Sequence, residues 1–269
     1  MSKKIAILGC GWLGLPLAKS LLEKNFIVSG STTSFGKLEM LQNFGINTFL
    51  IEITASEIQG AMDAFLDKND ILIIDIPPKL RGSSSENFVQ KIENCIPYIE
   101  KSTIKKVIFI SSTSVYADDN LVVDDYDIPN SRAEAGKQLF AAEKLFQRNT
   151  NFETTIIRFG GLVGTDRHPA KMLSGQLNVK NPDAVINLIH QEDCIKIIEK
   201  VISYNLWNNS FNAVSPYHPT REKYYPEKTF SLGMPPPTFD HSTQSEGKLI
   251  KSNTVTEILK HQFLWVENI

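Results

Sequence analysis

The feature that most constrains this chain is the run Ile5-Ala6-Ile7-Leu8-Gly9-Cys10-Gly11-Trp12-Leu13-Gly14 and the apolar residues that follow it. Ile5 to Leu8 is too short for a helix and the right length for a fully buried strand. The glycines then fall as G-x-G-x-x-G. Leu15, Leu17, Ala18, Leu21 and Leu22 recur at helical spacing, with Pro16 in the first turns, where a proline is tolerated. Strand, glycine turn and helix together form the context in which this spacing points to a dinucleotide. The three glycines do different things. The first permits the tight turn, the second lets a pyrophosphate approach the backbone, and the third lets the helix close on the strand. The helix N-terminus adds free N–H groups and a partial positive charge. Gly9, Gly11, Trp12, Leu13 and Gly14 are therefore candidate cofactor contacts.

Two plainer explanations compete. A lone G-x-G-x-x-G is often only a turn, and Lys3-Lys4 before an apolar run imitates a signal peptide. Three glycines and a proline have no place in a signal core, however, and the pattern continues into an amphipathic helix carrying Lys19, Glu23 and Lys24. A net charge of −2 and a pI near 6.2 give no reason to expect nucleic acid or an anionic membrane as partner. No apolar run approaches the ~20 residues of a membrane-spanning helix. Cys10, Cys95 and Cys194 show neither metal nor redox spacing, which fits a reducing cytoplasm. The histidines offer no metal-binding spacing either.

Further along, 26–30, 47–51, 70–76, 106–111 and 154–159 read as strands. Residues 35–44, 55–66, 85–102 and 131–149 read as helices between them. This alternation predicts an α/β protein with a Rossmann-type doubly wound parallel sheet and helices on both faces. Beyond Gly160 the elements shorten: a strand near 184–188, a helix over 192–204, a strand at 211–212, a short helix from Thr220, and a strand and helix over 248–251 and 254–260. No flexible linker intervenes. The expected organisation is a dinucleotide-binding domain over 1–160 and a small substrate-binding lobe over 161–269 that does not fold independently.

The end of the second strand bears on the choice of cofactor. An NAD site usually places Asp or Glu about 20 residues after the glycine turn. Here that place is Ser29-Gly30-Ser31-Thr32-Thr33, and no acidic residue occurs between Glu23 and Glu39. Ser31, Thr32 and Thr33 with Lys37 would accept a 2′-phosphate without repulsion, so NADP is expected over NAD. Ligands of open α/β sheets sit at the carboxyl ends of strands. Ile76, Pro77, Pro78 and Ser111 fall there as further cofactor candidates, and Ser112, Thr113 and Tyr116 as catalytic ones.

At Ser111-Ser112-Thr113-Ser114-Val115-Tyr116 the sequence resembles the extended short-chain dehydrogenase/reductases, the NAD(P)-dependent epimerase/dehydratase family that includes nucleoside-diphosphate-sugar epimerases. Arg158-Phe159-Gly160-Gly161-Leu162-Val163-Gly164 looks like its next strand signature, and Asn187-Leu188-Ile189-His190-Gln191-Glu192-Asp193 like its N-x-x-H-x-x-D lobe segment. The glycine turn departs from the G-x-x-G-x-x-G of most members. The resemblance implies a Tyr-x-x-x-Lys pair, with Tyr as general acid/base and Lys lowering its pKa and holding the nicotinamide ribose. Aligned on Ala141-Ala142-Glu143, those two positions hold Ala135 and Leu139, neither of which moves a proton. Lys137 lies about 200° round the helix from the expected lysine. Asp124, Asp125 and Tyr126 lie in the preceding loop and are better explained as solvated. In the lobe, Arg167, His168, His190 and Arg221 are candidate contacts for an anionic substrate, with surface or packing roles as the plainer explanation for each. His190 and Asp193 are expected to fix the lobe to the sheet.

The chain therefore reads as an atypical NAD(P)-dependent oxidoreductase or epimerase/dehydratase acting on a small polar substrate, with a nucleotide sugar as one such substrate. Ser112 or Thr113 would bind the reacting group, with Tyr116, Tyr126 or water as proton donor. The alternative is a non-catalytic NADP-binding regulatory or sensor protein. A β-hydroxyacid dehydrogenase ranks below both, because its all-helical second domain suits residues 160–269 poorly. The helices over 85–102 and 131–149 resemble the pair that family members use to form homodimers.

Overall fold

A computed structural model describes residues 3–78 and 87–266. In chain order the strands are β1 (Lys4–Leu8), β2 (Ile27–Thr32), β3 (Asn47–Ile53), β4 (Ile58–Gly60), β5 (Ile71–Ile74), β6 (Lys106–Ser112), β7 (Val122–Val123), β8 (Glu153–Phe159), β9 (Gly161–Val163), β10 (Leu188–His190), β11 (Ser210–Ala213) and β12 (Leu249–Ile250). The α-helices are α1 (Gly14–Glu23), α2 (Leu38–Asn43), α3 (Met62–Leu66), α4 (Phe88–Lys101), α5 (Glu134–Gln147), α6 (Ala170–Leu173), α7 (Gln191–Ser203) and α8 (Arg221–Ser231), and the helix expected over 254–260 is a single π-helical turn, Thr254–Ile258.

The main sheet has the order β11-β8-β6-β5-β1-β2-β3-β4. It is parallel throughout except for the β3–β4 edge. Successive residues of β1 face opposite sides of the sheet, and both sides are buried. Ile5 and Ile7 join the core made with α1 and α7, whereas Ala6 and Leu8 join the core made with α3, α4 and α5. The doubly wound Rossmann-type architecture follows from that two-sided burial. The amphipathic spacing of α1 buries Leu17, Ala18 and Leu21, and that of α4 buries Phe88, Ile92, Cys95 and Ile99. The helix expected over 85–102 begins in residues outside the described ones.

Three expectations are corrected. The helix over 55–66 is divided into the antiparallel edge strand β4 and the short α3. Gly60, at φ +107 and with no room for a Cβ beside the Leu50 carbonyl, is where the hairpin strand ends, and no L side chain fits there. The strand near 184–188 lies later, as β10, which pairs with β9, while Val185 makes only an isolated bridge to Thr220. The boundary at 160 is not a clean one: β11 is an edge strand of the main sheet and α7 packs in the α1 core. What stands apart is a lobe built on β9–β10, α6 and α8 around Val163, Ala170, Ile186, Leu188, Tyr224 and Tyr225. Its mixture of short strands and helices does not match the all-helical second domain of a β-hydroxyacid dehydrogenase. Among the described residues no helix is long and apolar enough to cross a membrane.

Candidate functional site

The glycine turn between β1 and α1 is fixed on three sides. Gly9 has φ +109, and a Cβ there would overlap the Asp75 carbonyl; a Cβ on Gly14 would overlap the Gly9 carbonyl. The Gly9 N–H donates to Ser31 Oγ (2.9 Å), the Cys10 N–H to the Ser31 carbonyl (2.7 Å) and the Gly11 N–H to the Gly9 carbonyl (2.8 Å). Gly11 differs from its two partners: a Cβ there would meet nothing within 4 Å. Its backbone borders open space, as close approach by a pyrophosphate requires. No side chain caps α1 and its first turn holds no acid. The amide N–H groups of Trp12 and Leu13 have no acceptor among the described residues, which leaves two donors at the positive end of the helix. These features fit a dinucleotide phosphate.

Beneath the turn lies a group that the strand pattern did not single out. The Asp75 carboxyl, just past β5, accepts the Gly14 N–H, and burial pushes its pKa up to about 7. An acid directly after the run Ile71-Leu72-Ile73-Ile74 was a readable signal, since it falls at the carboxyl end of a strand. Ile76 borders Gly9, Pro77 is exposed and Pro78 is half-buried.

At the end of β2 the hydroxyls divide between two roles. Ser31 is buried and serves the turn, and Thr32 Oγ1 accepts the Ser34 N–H (3.1 Å). Thr33 and Lys37 are exposed beside Phe35, which is 78% exposed. From Ser31 to Lys37 there is no carboxylate.

The end of β6 carries a buried polar chain. Ser111 Oγ donates to Glu143 Oε1 (2.5 Å), and Glu143 accepts from Arg158 Nε (3.1 and 3.2 Å) and Nη2 (2.7 Å). Arg158 Nη1 donates to the Tyr116 hydroxyl (2.7 Å), which donates to Asn212 Oδ1 (3.0 Å). Burial alone would lower the Arg158 pKa, but the Glu143 carboxylate holds it above its ordinary value. Tyr116 is 2% exposed, and burial raises its pKa. Its expectation as proton donor is therefore corrected: the hydroxyl is consumed inside the core. Ser111 is likewise structural. Ser112 Oγ accepts the Ser114 N–H (3.2 Å) and is half-buried, and Thr113 is buried beside it. Ala135 is half-buried on the first turn of α5, and Leu139 is buried in the core beneath it. Asp125 is not solvated: its carboxylate accepts the N–H groups of Asn212 (2.7 Å) and Thr254 (2.6 Å), whereas Tyr126 is exposed.

Each of the lobe candidates has a packing or hydrogen-bonding partner. His190 caps α7, accepting the Glu192 N–H, and stacks on Trp265 at 4.3 Å; burial lowers its pKa. Asp193, fully buried, accepts from His261 (2.9 Å) and the Leu264 N–H (2.9 Å). Together they anchor the C-terminal segment. His168 accepts the Ala170 N–H and stacks against Tyr224, and burial with Lys228 and Lys171 nearby lowers its pKa. Arg221 lies over the Tyr225 ring, and its buried Nε has no hydrogen-bond partner among the described residues. Arg167 lies over Trp12, on the glycine turn. Among the described residues no His, Cys, Asp or Glu cluster could hold a metal ion.

No protein-family model matches the chain. Protein YeeZ of Escherichia coli K12 is 31% identical over 264 residues, covering 97% of this chain and 96% of that protein; the same figures hold for Protein YeeZ of E. coli O157:H7. Among solved structures, UDP-N-acetylglucosamine 4-epimerase from Bacillus cereus superposes with a TM-score of 0.78 at 17% identity, over 99% of this chain and 93% of that one. UDP-glucuronic acid 4-epimerase from Bacillus cereus, in complex with NAD, gives 0.78 at 14% identity, over 98% and 93%. A conserved protein of unknown function from Silicibacter pomeroyi gives 0.77 at 19% identity, over 99% and 95%.

Proposed function

This chain belongs to the family of Escherichia coli Protein YeeZ and has the fold of the NAD-dependent epimerases, and from that premise we propose that it binds a nicotinamide dinucleotide, NADP in preference to NAD, and acts on a small polar substrate held under the lobe. The observation that carries the reading is the turn itself: open backbone at Gly11 with two N–H groups at the start of α1 that have no acceptor among the described residues. The NADP preference rests on the exposed Thr33 and Lys37 and on the absence of a carboxylate from Ser31 to Lys37. Ser112 and Thr113, past the middle of the sheet, are the hydroxyls left to orient a reacting group. A bound nicotinamide supplies hydride transfer; the chain supplies binding and orientation. The family's proton-transfer pair has no counterpart at Ala135 and Leu139, so the proton passes through another group or through water. A nucleotide sugar is the substrate class this reading favours.

Titration of NADPH and NADH against the protein, followed by cofactor fluorescence, tests the proposal. NADPH is expected to bind about tenfold tighter, as one charge-assisted contact allows. Gly11→Val is expected to abolish binding of both while leaving the protein folded, because the new side chain enters open space. Equal affinity for the two cofactors removes the NADP assignment, and undiminished binding by the variant removes the site.

A second reading, a dinucleotide-binding regulator without turnover, is favoured by the burial of Leu139 and the locked hydroxyl of Tyr116. Cofactor binding without hydride transfer across a panel of nucleotide sugars, aldehydes and ketones would select it.

A further inference from the structure

The β9–α6 loop is attached to the glycine turn through one residue. Trp12 Nε1 donates to Asp166 Oδ1 (2.7 Å), and the Trp12 carbonyl accepts from Gln191 Nε2 (2.5 Å). The indole lies so close to Gly164 that a Cβ there would come within 2.8 Å of it, so the loop can approach only because position 164 is glycine. The loop closes on itself through reciprocal backbone hydrogen bonds, Gly164 N–H to the Arg167 carbonyl (2.8 Å) and Arg167 N–H to the Gly164 carbonyl (3.0 Å). That closure holds the Arg167 guanidinium 5.1 Å from the centre of the Trp12 ring.

Arg167 is exposed and forms no ion pair among the described residues, and the adjacent Asp166 carboxylate is engaged by the indole. Trp12 therefore carries an uncompensated cation on its ring and an unused N–H on its backbone. The turn needs such a cation. From Gly9 to Ala18 the chain has no charged side chain, and the titratable group beneath the turn, the Asp75 carboxyl, supplies no positive charge in either protonation state. A pyrophosphate brings two negative charges to a helix end worth about half a positive one. A guanidinium stacked on an aromatic face and presenting a planar fork of donors suits the missing part better than a mobile ammonium.

We propose that Arg167, held on the indole of Trp12 by the β9–α6 loop, is the cation that binds the pyrophosphate of the dinucleotide. This rests on the dinucleotide-binding reading given above. It moves Arg167 from the substrate to the cofactor and makes the lobe a contributor to the cofactor site. Trp12 and Asp166 are positioning residues.

The experiment measures the Kd of wild type, Arg167→Ala and Arg167→Lys for three probes. These are NADPH, adenosine 2′-phosphate, which lacks the pyrophosphate, and UDP added to protein saturated with NADPH. Arg167→Ala is expected to weaken NADPH about tenfold and to flatten its dependence on salt concentration. Adenosine 2′-phosphate and UDP are expected to bind unchanged, Arg167→Lys to fall between, and the far-ultraviolet spectrum and melting of the exposed-site variants to match wild type. If wild type binds NADPH and the Ala variant binds it equally well, this inference fails and the functional reading stands. Weaker UDP binding with NADPH unaffected assigns the cation to substrate and also overturns the inference. If wild type binds neither NADPH nor NADH, the functional reading fails first and this inference with it.

Discussion

Asp75 ties the cofactor turn to pH through a single carboxyl. Its pKa stands near 7 when folded, against about 3.9 for an ordinary unfolded aspartate. Between about pH 4 and pH 7 the unfolded chain has released this proton while the folded protein keeps it, so stability falls as pH rises through that window. Above it the penalty is complete, on the order of a few kcal/mol. Asp75→Asn keeps an acceptor for Gly14 and cannot ionise. In chemical denaturation it is expected to be more stable than wild type at about pH 8 and to lose most of that advantage at about pH 5; parallel pH profiles for the two proteins would refute the assignment. The same residue contributes to the thiol beside it: burial, reinforced by Asp75, pushes Cys10 up to about 12, so this cysteine is inert toward alkylation at neutral pH.

At the scale of elements, one buried chain of side chains links β6, α5, β8 and β11: Ser111, Glu143, Arg158, Tyr116 and Asn212. Removing one member of a buried ion pair leaves the other charge uncompensated, which costs about 3–5 kcal/mol. Glu143→Gln is expected to lower unfolding stability by about 3 kcal/mol, measured as a shift in denaturant midpoint, and a loss below about 1 kcal/mol would show the pair to be dispensable. These links also show where sequence reasoning stopped. The helical spacing of Leu139, Phe140, Ala142, Leu145 and Phe146 marks the inward side of α5, where Leu139, Ala142 and Phe146 are buried and Phe140 and Leu145 partly so, because helical period is a local property. Glu143 and Tyr116 were legible only as motif members. What buries them is Arg158, on a strand whose partners are set by the sheet order and not by nearby sequence. The strand, glycine turn and helix were legible for the same local reason, whereas Asp75 beneath the turn was not singled out and the Trp12–Asp166 contact, spanning 154 positions, left no local trace. Residues 55–66 misled because a short apolar pattern suits an edge strand as well as a helix.

Over the whole molecule, the late part of the chain is built into the early part. β11 lengthens the sheet, α7 completes the α1 core, and β12 pairs with β7. The buried Asp193 on α7 is met by His261, Leu264 and Trp265. That attachment has a consequence for the time course of folding. β1 to β5 are complete within residues 4–74, so five of the eight strands of the main sheet can pair while the remainder is still being synthesised. Asp193 by contrast lacks its hydrogen-bond donors until about seventy residues after itself have emerged. A chain ending after Lys260 is therefore expected to build its sheet and yet fail its last step, with α7 unable to bury an unmatched carboxylate. Hydrogen exchange would show this as protected β1 and β5 amides beside rapidly exchanging α7 amides, while uniform protection would mean that the tail only decorates a finished protein. Until His261, Leu264 and Trp265 dock, the carboxylate that α7 buries against one face of the sheet has no donors from this segment.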